Sequence, residues 1–151
     1  MPCLKYVNTN MDKKDTLVIG RLTEAKVLSY FTELGYIVSL PFGGQARYDY
    51  LIDVNGKIIR VQVKTSQLKE GCICFYTSSS HYIQGHHLHT EYTKDDIDYF
   101  VTEYQNQYYM IPVEECGREK RLRIEEPKKG ANLNKINWAK DYQVEEILKH
   151  I

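Results

Sequence analysis

The sequence predicts an α/β fold, a mixed β-sheet flanked by helices, and three observations carry that reading. A stretch with helical periodicity follows a polar start. An Asn-Gly pair joins two β-rich runs in the middle of the chain. A short amphipathic segment closes it, with Val144, Ile147, Leu148 and Ile151 on one face.

The first helix is expected from about Asp15 to Leu34, and Gly35 ends it because a left-handed cap strains glycine least. Tyr36 to Leu40 reads as a strand that stops at the loop Pro41-Phe42-Gly43-Gly44. Tyr48 to Val54 and Lys57 to Thr65 are rich in β-branched and aromatic residues, and Asn55-Gly56 between them is a preferred tight turn. Cys72 to Thr77 is a further strand. Ser78 to His89 reads as a polar loop facing solvent or DNA. Ile97 to Tyr104 and Tyr108 to Val113 form a second hairpin across Gln105-Asn106-Gln107.

With no repeat, low-complexity tract or Pro/Gly-rich linker, residues 1–151 read as one domain, with 1–12 a loose N-terminal extension. A chain of 151 residues buries enough surface for a core without staples. Cys3, Cys72, Cys74 and Cys116 show no CxxC spacing, so reduced cysteine is the simple reading. No stretch approaches the roughly 18 apolar residues of a membrane span. The start, Met1 to Lys14, lacks an apolar signal core. A cytoplasmic protein without a membrane partner is expected.

Net charge is zero, from 20 basic and 20 acidic residues, which excludes a strongly basic coat protein. The distribution is uneven. Residues 118–140 hold eight basic against three acidic residues, a net +5, while 91–115 hold one against seven, a net −6. Such asymmetry fits one side facing nucleic acid and another facing solvent or a partner.

The hairpin register assembles the chemistry. A two-residue turn at Asn55-Gly56 pairs Val54 with Lys57, and the same register sets Asp49 opposite Gln62. Side chains alternate along a strand, so Arg60, Gln62 and Lys64 share one face while Ile59, Val61 and Val63 share the other with Tyr50 and Ile52. Opposed residues point the same way, so Asp49, Gln62 and Lys64 converge. On the helix, Glu24 falls in the arc of Leu17, Gly20, Val27, Leu28, Phe31 and Leu34. A carboxylate there is costly unless paired or bound to metal. Two carboxylates, an amide oxygen and a lysine suit phosphodiester hydrolysis around Mg²⁺, or another divalent cation such as Mn²⁺. Lysine supplies a compact cation for developing negative charge, or helps deprotonate the attacking water. A structural reading stands beside this one: Lys64 as an edge-strand lysine, Asp49 as a turn residue, and Glu24 paired with Arg21 or Arg60.

Tyr48-Asp49, then a turn, then Gln62-Val63-Lys64, preceded by a helical glutamate, resembles the PD-(D/E)XK nuclease superfamily. Gly20…Glu24, Gly35-Tyr36-Ile37-Val38, Ile97-Asp98-Tyr99-Phe100 and Ile111-Pro112-Val113 extend the likeness over most of the chain. They are similar to a compact bacterial branch, with glutamine in the motif, that includes intron-encoded homing endonucleases. The resemblance implies a restriction-endonuclease-like core, divalent-metal catalysis and a double-stranded DNA substrate. It matches Asp49 to the motif's first acid, Lys64 to its lysine and Glu24 to the helical acid. Tyr48 stands where the motif has proline, and Gln62 where it has a second acid, removing one negative charge. A Holliday-junction resolvase and a non-cleaving DNA-binding protein on a degenerate nuclease fold are the alternatives.

Arg47, Arg60, Lys69, His86, Arg118, Lys120, Arg121 and Arg123 are the expected DNA contacts, with the run 118–123 reading equally as a solvated charge run. Cys72 and Cys74 with His81, His86, His87 and His89 lack the spacing of a structural zinc site. One active site per chain cannot cut two strands, so a homo-oligomer, a dimer or a tetramer, is expected. Tyr99, Phe100, Tyr104, Tyr108 and Tyr109 are either interface material or the sheet's own core.

Overall fold

A computed structural model describes residues 15–130 and 132–151; the expected extension over 1–12 lies outside them. Helix α1 spans Thr16–Glu33. Asp15 caps it, its carboxylate accepting the Leu17 N–H at 3.2 Å. Gly35 follows at φ +85°, the left-handed conformation expected of it. Strands β1 (Ile37–Ser39), β2 (Tyr50–Val54) and β3 (Lys57–Val63) come next, and Asn55 and Gly56 both take positive φ between β2 and β3. That geometry matches the right-handed strand twist, which is why Asn-Gly is favoured there.

The chain continues through β4 (Gln67–Lys69), β5 (Cys72–Tyr76), β6 (Ser79–Ile83), β7 (His86–Thr90), β8 (Tyr99–Tyr104), β9 (Gln107–Pro112) and β10 (Glu119–Arg123) to helix α2 (Val144–Leu148). A five-stranded sheet has the order β1-β2-β3-β8-β9, antiparallel except for the parallel pair β3-β8. Three strands, β10-β5-β4, form a second sheet, and β6-β7 a separate two-stranded ribbon.

Alternation divides the apolar residues between two cores. Tyr50, Ile52, Val54, Ile59, Val61, Val63, Val101 and Met110 pack with Val27 and Phe31 of α1 and Val144 of α2. Phe100, Tyr109 and Ile111 face the other way and pack with Ile73, Phe75 and Leu122 of the second sheet. The large sheet thus has helices on one face and the small sheet over part of the other.

Three expectations change, and for two aromatic residues one of the two open readings holds. The β8–β9 turn is Gln105-Asn106 alone, both at positive φ, and Gln107 is already in β9. The segment read as a polar loop is the β6–β7 hairpin, turning at Gln84-Gly85. The charge run 118–123 is mostly strand, paired with β5 from Glu119↔Tyr76 to Arg123↔Cys72. Phe100 and Tyr109 are buried in the chain's own core, and Tyr108 stacks on Tyr30 with ring centroids 3.9 Å apart.

Candidate active site

The four residues expected to converge come from three places. The β2–β3 ladder runs from Val54↔Lys57 to Tyr50↔Val61, and Asp49 lies immediately beyond it. Its N–H donates to the Val61 carbonyl at 2.8 Å, so the backbone shifts by one residue where simple continuation sets Asp49 against Gln62. The carboxylate closes the gap, with Oδ2 accepting the Val63 N–H at 2.7 Å. Asp49 is therefore anchored by a main-chain donor on the neighbouring strand, and Oδ1 is not engaged by that bond.

Burial, opposed by the Val63 hydrogen bond, raises the Asp49 carboxyl to about 6, with the negative charge of Glu24 adding to the rise. Lys64 and the Gln62 side chain oppose it, which puts both within electrical reach of Asp49. The Gln62 amide donates to the Val63 carbonyl at 3.4 Å, leaving its oxygen uncommitted by that contact.

Glu24 arrives from the helix layer. The buried stripe of α1 is Thr23, Val27 and Phe31, with Glu24 half-buried on its flank rather than at its centre; Leu17 and Leu34, expected in the stripe, are exposed. Two contacts fix this register. The Tyr50 hydroxyl donates to the Glu24 carbonyl at 2.9 Å, and the Thr23 and Thr65 hydroxyls meet at 3.1 Å. Burial first, then the charges of Glu24 and Asp49, push the Tyr50 phenol up to about 12. Thr23 carries no sequence signal of its own, since a threonine on a helix stripe reads as ordinary core.

Lys64 follows β3, its N–H bound to the Val101 carbonyl at 2.9 Å. Its ammonium donates to the Ser78 carbonyl at 3.0 Å and lies 5.0 Å from the centre of the Tyr92 ring. Burial lowers its pKa, Asp49 opposes that, and the Arg47 charge adds to the lowering. It is half-buried and held, not a free edge-strand lysine.

Among the described residues no three His, Cys, Asp or Glu side chains form a ligand cluster. Two acids, Glu24 and Asp49, plus the Gln62 oxygen still fit a hard cation that retains water ligands, as Mg²⁺ does. Burial is the main cause of the raised Asp49 pKa and the Glu24 charge adds to it, so a cation beside the two acids would favour the ionised carboxylate. The side chains of His81 and His87 lie outside the described part; those of His86 and His89 are exposed.

The expected DNA contacts separate into two groups. Arg60 is committed to the fold: its N–H reaches Asp98 Oδ2 at 2.8 Å and its guanidinium holds both oxygens of Asp98. It pairs with Asp98 and not with Glu24. Lys120 is 4% exposed, its ammonium bound to the Glu115 carbonyl at 3.1 Å and the Tyr142 hydroxyl at 3.4 Å, so it presents no surface charge. Arg47 pairs with Asp96 at 2.8 Å, and Arg121 with Glu119 and Glu70. Arg123 donates to the Glu70 carbonyl at 3.0 Å. Arg118 has a 92% exposed side chain with Glu91 3.9 Å away, and Lys69 and His86 are exposed.

The fold is similar to that of a solved bacterial homing endonuclease, I-Ssp6803I, with a TM-score of 0.72 and 21% identity, over 90% of this chain and 95% of that one. No curated protein matches the chain in sequence. A family model described as PD-(D/E)XK endonuclease matches residues 11–145, and by that match the chain belongs to the PD-(D/E)XK endonuclease family.

Proposed function

We propose that this endonuclease is a Mg²⁺-dependent, site-specific enzyme that cuts double-stranded DNA, of the intron-encoded homing kind, with Glu24, Asp49, Gln62 and Lys64 as its active site. The observation that carries the reading is Asp49: a carboxylate anchored to the Val63 N–H, raised in pKa, beside a second acid and a half-buried lysine. A carboxyl shifted by burial and by a neighbouring acid, with a lysine at hand, is the kind of perturbed group that concentrates at functional sites.

Glu24, Asp49 and the Gln62 oxygen would hold the cation, which when bound supplies Lewis-acid polarisation of the phosphate and an acidified water. The chain's own residues do the rest. Asp49 is fixed by Val63, so its second oxygen keeps one direction. The Lys64 ammonium offers a preorganised positive charge to the phosphate oxygens as negative charge builds there. Gln62 in place of an acid removes one negative charge from the site and leaves more of the cation's field for the substrate. Exposed Arg118, Lys69 and His86 are the proposed backbone contacts. Two strands and one site per chain call for a dimer or tetramer.

Incubating the purified protein with a plasmid panel and a synthetic four-way junction, in Mg²⁺ and in EDTA, tests this. Linearised plasmid in Mg²⁺ alone is the expected result. Cleavage confined to the junction would make it a resolvase, and binding without cleavage a degenerate nuclease.

A further inference from the structure

The ends of the β6–β7 hairpin meet at Lys64. Ser78, just before β6, gives its carbonyl to the ammonium at 3.0 Å. Tyr92, two residues after β7, lays its ring 5.0 Å from the same nitrogen. The other cation of this corner uses the ring as well: the Arg47 guanidinium carbon is 4.3 Å from its centre. Arg47 is tied on both sides of that contact, to Asp96 at 2.8 Å and to the Glu91 carbonyl at 2.9 Å. The Tyr92 ring also makes a T-shaped contact with Phe100 of the buried core, at a centroid distance of 5.5 Å and 84°.

Two cations thus share one ring, the Arg47 guanidinium carbon 4.3 Å and the Lys64 ammonium 5.0 Å from its centre. An aromatic face attracts both through its quadrupole, and the attraction strengthens as water is excluded. Lysine has four rotatable carbons, so a half-buried ammonium needs such a shelf to keep one position.

We propose that Tyr92 is a positioning residue of the active site, setting the Lys64 ammonium together with the Ser78 carbonyl and holding Arg47 beside it. This rests on the reading of Lys64 as an active-site residue. It also links the β6–β7 ribbon to catalysis, because the residues at both its ends, Ser78 and Tyr92, lie against the same ammonium.

Tyr92→Phe and Tyr92→Leu separate the ring from the hydroxyl and from mere bulk. Single-turnover cleavage of a plasmid cut by the wild type is measured at saturating enzyme, with DNA affinity measured separately and folding checked by thermal melting. The Leu variant should cleave about tenfold more slowly, the Phe variant within about threefold of wild type, and both should bind DNA within about threefold of it. A Leu variant as fast as wild type overturns the proposal, as does a Phe variant as slow as Leu or a loss confined to affinity. Reductive methylation of Lys64, read by mass spectrometry in the same three proteins without DNA, keeps the test independent of cleavage. Lys64 should label at least about threefold faster in the Leu variant than in the other two. Equal labelling overturns the positioning role even if the wild type cuts no DNA, the outcome that would instead reject the functional reading.

Discussion

The Asp49 carboxylate accepts the main-chain N–H of Val63 at 2.7 Å, at the last residue of β3 and one residue before Lys64. A side chain replaces a ladder bond at the point where β2 and β3 part, so the position of the acid and the path of the strand that leads to Lys64 are set by one contact. The backbone path and the geometry of the proposed site are thereby coupled.

Gln62→Glu restores the motif's second acid next to Asp49. Added negative charge strengthens hard-cation binding, so Mn²⁺ titrated into the variant by calorimetry should bind at least about tenfold more tightly than into wild type, roughly 1.4 kcal/mol. Weaker binding would remove Gln62 from the metal site.

Thr23→Val removes the hydroxyl that meets Thr65 and leaves the helix packing volume nearly unchanged. A net loss of about 1 kcal/mol in chemical denaturation is expected, the ordinary value of such a bond. An unchanged midpoint would show that the bond contributes nothing to docking α1 at the site.

Lys120 and Arg118 should behave in opposite ways although two residues apart. Lys120→Met leaves the Glu115 carbonyl and the Tyr142 hydroxyl without their donor, so stability should fall by roughly 1–3 kcal/mol. The salt slope of DNA binding should not move. Arg118→Gln should leave stability intact and reduce that slope by about one unit. The reverse pattern would place phosphate at Lys120 after all.

Acid should loosen the Arg60–Asp98 pair. Burial alone raises the Asp98 carboxyl, but the Arg60 guanidinium and N–H outweigh it and hold it below its ordinary value of 3.8. A depressed folded-state pKa contributes stability that is present above the unfolded value and is lost as pH falls through the folded one. Wild type should therefore lose stability below about pH 4 more steeply than Asp98→Asn. Parallel curves in thermal melts from pH 6 to pH 2 would contradict this.

Elements with their own punctuation were legible in the sequence. Asp15 and Gly35 bracket α1, and Asn55-Gly56 fixes the central hairpin, because cap and turn residues act locally. The β6–β7 ribbon was not legible: Ser and His flank Gln84-Gly85 where β-branched alternation would normally mark strands. Strand β10 looked like a charge run because burial of Lys120 depends on Glu115 and Tyr142, and the latter is brought beside it only by the tertiary fold. The convergence of Asp49, Gln62 and Lys64 followed from strand alternation, whereas the one-residue shift at Asp49 did not, since its carboxylate substitutes for a backbone acceptor. Tyr92 escaped notice because nothing local ties it to Lys64, 28 positions earlier in the chain.

The central claim is that Asp49 and Lys64 carry metal-dependent hydrolysis. Cleavage by purified Asp49→Ala and Lys64→Ala, beside wild type, on a plasmid that the wild type linearises in Mg²⁺, addresses it most directly. Both variants should remain folded, bind the DNA within about threefold of wild type, and lose at least about a hundredfold in single-turnover rate. Full cleavage by either folded variant would contradict the assignment.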